Sequence, residues 1–211
     1  MVFEVGHQYQ NVYFLKIDVS GHSKIVLSNP SDIIQIVFDE IESTIKSTIE
    51  HKRNAQQCSY GQFWGWQGDG GLCVIYDINE SKALKTALDS SLDILDNKLK
   101  IIQRLSQEVE MKGEIHFRIA IHKGSFSYQG EPKQGSIHSK EINLVSHLES
   151  KTPKDSISIT EDVYDILHGQ TRDLFKKMSF DFEGKKIYNH SNSTDCSPYY
   201  EWINNISFVG N

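Results

Sequence analysis

The sequence has little sulfur chemistry to offer. Its three cysteines, Cys58, Cys73 and Cys196, are odd in number and none sits in a CxxC pair. This speaks against a disulfide framework and a structural zinc site, and a reducing cytoplasm is the expected compartment. No apolar run approaches the roughly 20 residues that a membrane helix needs. The opening "MVFEVGHQYQNVYF" lacks the basic, apolar and small-residue order of a signal peptide. There is no internal repeat, no low-complexity linker and no HExxH spacing among the histidines. An excess of positive charge is missing too: the net charge is −6, which speaks against wrapping a nucleic-acid polymer. What remains, 211 residues with 38% apolar and 24% charged side chains, has the balance of an ordinary globular protein with its own core.

The patterns along the chain predict alternating strands and helices. "QNVYFLKIDV" (10–19) reads as a buried strand. Ile34, Phe38, Ile41, Ile45 and Ile49 then recur at helical spacing behind Ser31, a candidate N-cap. Segments 57–67 and 71–77 read as strands joined by "GDGG". Leu84, Leu88, Leu92, Leu95, Leu99, Ile102 and Leu105 form one stripe of a long helix over 80–109. "EIHFRIAIHKG" (114–124) alternates as a strand, and "SFSYQG" is a candidate for its hairpin partner. A short helix (139–150), a strand (156–160), a helix closed by Gly169 (161–169) and a late strand or hairpin (180–190) follow. The order β-α-β-β-α-β with frequent hairpins predicts an α+β fold: a ferredoxin-like core, mostly antiparallel, with helices on the sheet. One domain is expected over 1–190. The tail 191–211 is polar and then aromatic, suited to docking on the body or on a partner chain.

Two aspartates draw attention. Asp18, in "LKIDVSGHS", closes a strand before a turn rich in backbone N–H groups, a place suited to a divalent cation and a polyphosphate. Asp69 stands in "FWGWQGDGGLCVIY" among Gly65, Gly68, Gly70 and Gly71. Each alone is equally well a turn or cap residue. If the first and second strands are neighbours, the two carboxylates face each other, and such a pair repels unless a cation lies between. Two divalent ions on two carboxylates would clamp the attacking and leaving oxygens of phosphoryl transfer.

"FLKIDVSGHSKI", "GWQGDGGLCVIY", "FRIAIHKGSF", "GSIHSKEINLVSHLES", "ISITEDVYDIL" and "FEGKKIY" stand in the order and spacing of a known domain. From about residue 11 to 189 the chain resembles the class III nucleotidyl (adenylate and guanylate) cyclase catalytic domain. The resemblance implies conversion of a nucleoside triphosphate to a 3′,5′-cyclic monophosphate and pyrophosphate. It makes Asp18, Asp69 and the Val19 carbonyl ligands of two Mg²⁺ or Mn²⁺ ions per site. It gives Arg118 to the triphosphate, Asn143 to the ribose, and Lys185 to the neighbourhood of a phosphate-directed lysine. It implies a homodimer whose sites each combine the aspartates of one chain with the asparagine helix of the other.

The sequence also departs from that pattern. His147 stands four residues after Asn143, where the family has an arginine that stabilises the α-phosphate. An imidazole carries only part of a charge at neutral pH. Gly65 and Ser136 replace the lysine and aspartate with which adenylate cyclases of the family read the base. Phe63, Trp64 and Trp66 are close in sequence and suit either a stacking surface or the core. The altered pocket, with no sensor domain preceding it, is similar to that of stand-alone bacterial cyclases that make cyclic CMP or UMP in phage defence. The same departures fit a degenerate, nucleotide-binding or dimerisation module. His116 and His122 read as strand-face residues.

Overall fold

In this computed structural model, residues 3–67, 70–129, 139–178, 182 and 184–191 are described. Thirteen elements alternate along them. The strands are β1 (Gln8–Ser20), β2 (Tyr60–Gln67), β3 (Gly70–Tyr76), β4 (His116–Ser127), β5 (Ser156–Thr160), β6 (Lys176–Lys177) and β7 (Ile187–Ser191). The helices are α1 (His22–Ser28), α2 (Ser31–Ala55), α3 (Glu80–Glu108), α4 (Lys140–Lys151), α5 (Glu161–Tyr164) and α6 (Gly169–Asp173). The seven strands form one sheet in the order β2-β3-β1-β4-β5-β7-β6. All neighbours are antiparallel except β4 and β5. This is the α+β architecture expected from the sequence, with β4 at the centre and β1 beside it.

The period of two along a strand divides the sheet into two unlike faces. Tyr13, Leu15, Ile17 and Val19 of β1, with Phe117, Ile119 and Ile121 of β4, pack on α2 and α3 through Val37, Ile41, Ile45, Leu88, Leu92 and Leu95. The opposite face carries Val12 and Phe14 of β1 and Ala120 of β4 against Ile142, Val145 and Leu148 of α4. On this second face the alternation continues as Lys16 and Asp18 along β1, and as Arg118 and His122 along β4. Ionisable groups here occupy places that the other face fills with aliphatic side chains.

Several local expectations are corrected. β1 pairs with β3 and β4, not with β2. The second hairpin strand turns inward, because a ferredoxin-like crossover inserts it beside the first. α2 begins at Ser31 itself, with Pro30 in the N-cap position and no side-chain cap. Pro30 has no N–H to lose there and its fixed φ suits the entry. "SFSYQG" gives β4 its last residues, paired with the start of β1, and no separate strand. Leu99 is 65% exposed, and Ile101 and Leu105 carry the buried stripe of α3 onward in its stead. Gly169 opens α6 with φ +53° and does not close α5, which stops at Tyr164. The late strand is the short β7, paired with β5 on one side and with β6 on the other. Among the described residues no helix is long and apolar enough to cross a membrane.

Candidate active site

Asp18 lies two residues from the end of β1, flanked by Gly70 of β3 on one side and Arg118 of β4 on the other. Its side chain is on the α4 face and the residue is 1% exposed. The end of the first strand thus lies beside the start of β3, as the site requires, although through β3. Gly70 is dictated by close approach: a Cβ there would come within 2.9 Å of Lys16 Cε and 3.1 Å of the Ile17 carbonyl oxygen. Lys16 Nζ donates to the Gly70 carbonyl at 3.2 Å. Asp69, next to Gly70 in sequence, lies outside the described residues, as do Ser136 and the tail beyond Ser191.

Arg118 is bound to Asp18. Its Nε and Nη2 both donate to Asp18 Oδ2, at 2.9 and 2.7 Å. Its Nε also lies 3.0 Å from Glu149 Oε1 of α4. One guanidinium therefore serves two buried carboxylates, from β1 and from α4. Charge-assisted pairing of this kind is what allows such groups to be buried at all. Neither Lys16 nor Glu149 was singled out in the sequence. The signal for Lys16 is a lysine inside "YFLKIDV", two residues before Asp18 and hence on the same face. Glu149 carries no local signal; only the helix packing brings it to Arg118.

α4 is a well-defined platform. The helix runs one residue later than the 139–150 expected, over Lys140–Lys151, and Ser139 accepts from the Ile142 N–H at 3.1 Å as its N-cap. Ile142, Val145 and Leu148 are buried under it, while Asn143 and His147, four residues apart, share its exposed edge. Both are exposed, whereas Asp18 is buried under the other side of the helix. At the helix start, Glu141 accepts from the Nε2 of buried His122 at 2.7 Å, and Thr160 Oγ1 lies 3.1 Å from Nδ1. Burial lowers the proton affinity of His122 below the ordinary histidine value, against the raising influence of Glu141. His116 bonds Asp155 at 2.6 Å and Glu114 at 3.1 Å. Both histidines are strand-face residues, as expected.

Lys185 is paired with Asp162, and Lys186 with Glu161. Val19 is buried on the α2–α3 face. Gly65 sits at a β-bulge after Phe63 with φ +131°, and nothing lies within 4 Å of where a Cβ would be. The bulge resets the alternation: Phe63 and Trp66 both pack on the α2 side, whereas Trp64 packs on the α4 side. Trp64 contacts Phe126 with centroids 5.3 Å apart, and its Nε1 donates to the Tyr60 hydroxyl at 2.8 Å. All three aromatics are thus engaged in packing.

Residues 6–193 match the adenylate and guanylate cyclase catalytic domain. The chain belongs to that family. Solved cyclase structures share its fold. The guanylyl cyclase Cya2 superposes with a TM-score of 0.70 at 14% identity, over 88% of this chain and 93% of that one. The guanylate cyclase domain of RhGC from Catenaria anguillulae, in complex with GTP, gives 0.63 at 14% identity over 87% and 97%. The adenylyl cyclase CyaB from P. aeruginosa gives 0.63 at 16% identity over 89% and 97%. No curated protein sequence matches the chain. Within this cyclase domain, no group of three or more histidine, cysteine or acidic side chains forms a metal cluster among the described residues. The donor chemistry nevertheless fits a hard divalent ion. Asp18 offers carboxylate oxygen beside Gly70, where the missing side chain leaves room for Lys16, and Asp69 precedes Gly70 in sequence.

Proposed function

We propose that this cyclase domain converts a nucleoside triphosphate to its 3′,5′-cyclic monophosphate and pyrophosphate. The observation that carries the reading is the buried Asp18–Arg118 pair, a carboxylate suited to a divalent ion beside a guanidinium suited to phosphate. Asp18, Asp69 and the Val19 carbonyl would hold two Mg²⁺ or Mn²⁺ ions. Bound there, the ions would ease loss of the 3′-hydroxyl proton and offset the negative charge of the phosphates. Arg118 exchanges its aspartate for the triphosphate, with Glu149 as its remaining anchor. Lys185 would have to exchange Asp162 for the triphosphate in the same way. The 3′-oxygen forms its bond to the α-phosphorus as the bond to pyrophosphate breaks. Positioning and charge neutralisation do most of the work.

The outward edge of α4 supports a homodimer. Asn143 and His147 would reach the Asp18 of a partner chain, orienting the ribose and adding charge near the α-phosphate. Gly65 and Ser136, lacking the purine-reading side chains, favour CTP or UTP as substrate. A cyclic pyrimidine nucleotide would then be the second messenger, in the manner of antiviral defence, made in the cytoplasm.

Incubation with ATP, GTP, CTP and UTP in turn, with Mn²⁺, tests activity and base choice together. A cyclic pyrimidine product is expected. Asp18→Asn should abolish it. No cyclic product from any of the four would leave the degenerate, binding-only module in possession, a reading that His147 in place of arginine favours.

A further inference from the structure

β4 holds α4 at two points. Arg118 meets Glu149, and His122 meets Glu141. Four strand residues span about 13 Å and eight helical residues about 12 Å, so the two clasps match in spacing, with the helix antiparallel to the strand. They are not equivalent. Arg118 is shared with Asp18 and, on the cyclase reading, with the triphosphate. The clasp at the N-terminal end is dedicated. His122 is 2% exposed and has a partner on each ring nitrogen. A carboxylate only accepts, so Nε2 carries the proton toward Glu141, and the Thr160 hydroxyl donates to Nδ1. The fit is tight as well: a Cβ on Gly124 would stand 2.6 Å from Glu141 Cδ. A side chain on Gly124, a different acid length at 141 or a different ring at 122 would each displace the helix start.

We propose that Glu141 and His122 are positioning residues for the reaction: their contact, seated over Gly124 and backed by Thr160, sets where α4 presents Asn143 and His147 to the partner subunit. This deepens the composite-site reading above and rests on it. Asn143 lies two residues beyond Glu141 on the same first turns, so a shift at the clasp passes directly to it. Displacement by about 1 Å at such a group can cost up to 10²-fold in rate. Because the groups it places act on the reacting centre of the other chain, the loss belongs in kcat.

Subunit mixing tests this. Glu141→Ala is expected to lower kcat about 10- to 100-fold while KM for the triphosphate changes less than about threefold. Mixed in equal amounts with Asp18→Ala chains, it should regain about a quarter of wild-type activity, since half the dimers then hold one intact site. Mixed with Asn143→Ala chains it should regain nothing, because both sites receive a defective α4. Equal recovery with both partners would overturn the proposal. So would no recovery with either while the control mixture of Asp18→Ala and Asn143→Ala recovers. If that control also recovers nothing, the composite site itself fails and this proposal falls with it. Glu141→Gln keeps an oxygen for the His122 N–H and should hold activity within about threefold; a glutamine variant as poor as the alanine one, with an unchanged melting midpoint, also overturns the assignment.

Discussion

The two faces of the sheet are built from the same strands and do opposite things. Toward α2 and α3, every inward residue of β1 from Tyr13 to Val19 is apolar or aromatic and lies in one continuous cluster. Toward α4, the residues between them are Phe14, Lys16 and Asp18, and β4 supplies Arg118, Ala120 and His122. One face buries hydrocarbon, which contributes stability without direction. The other buries charge in pairs, which contributes little net stability but fixes directions and distances. Adjacent residues such as Ile17 and Asp18 therefore belong to different problems, one of holding the fold and one of chemistry.

The strongest way to break this division is at Asp18. Asp18→Asn keeps the shape of the side chain and is expected to lower cyclic-nucleotide formation by on the order of 10³-fold, together with a lower melting midpoint because Arg118 loses a charged partner, so turnover is read well below that midpoint. A protein that cycles nucleotide normally with asparagine there would end the assignment. Its neighbour should do the reverse. Ile17→Ala, 0% exposed on the other face, is expected to cost about 2–5 kcal/mol of stability in denaturant unfolding while turnover measured well below the melting point stays within a few-fold. A smaller effect is expected at Asn189. Its Nδ2 donates to Ser156 Oγ, the Ile157 carbonyl and Ser158 Oγ at 3.0–3.2 Å, and Asn189→Ala should cost about 1–2 kcal/mol.

The smallest effect is one of pH. Burial raises the Asp155 carboxyl, but hydrogen bonds from Lys98 and His116 and from the Phe117 N–H take it net below the ordinary range. A depressed folded-state value means stabilisation that is complete above the unfolded value of about 3.9 and is lost as pH falls through the folded one. Asp155→Asn should flatten that acid limb of a stability–pH curve. His122 has the opposite character: its lowered value means that the unfolded chain takes the proton first. Stability should decline as pH drops below about 6.5, a window distinct from that of the aspartate.

Much of the fold was legible because it is local. The stripes of α2, α3 and α4 and the alternation of β4 are properties of short windows, and they appear where their spacing puts them. Asp18 stood out because a carboxylate in a buried strand needs a reason. What stayed hidden depends on contacts between distant parts. Nothing near residue 60 says that β3 rather than β2 will lie against β1. Nothing near Leu99 says that the buried stripe passes it by for Ile101. Ser31 offers a good cap, yet Pro30 already stands at the entry. Glu149 reads as one more polar helix residue until Arg118, 31 positions earlier in the chain, is found beside it. Of the site itself, Arg118 was read as a ligand for phosphate, and its pairing with Asp18 is visible only in three dimensions.

The glycine at position 65 has a consequence for anyone who would retarget this protein. There is room for a side chain, but the backbone torsion of +131° is one that other residues resist, at a cost of about 1–3 kcal/mol. Writing a lysine or a glutamate over that letter would strain the hairpin. The extra residue that puts Phe63 and Trp66 on one side would have to be deleted along with the exchange. Any side chain at this position is thus a matter of editing the length of a strand as well as its spelling.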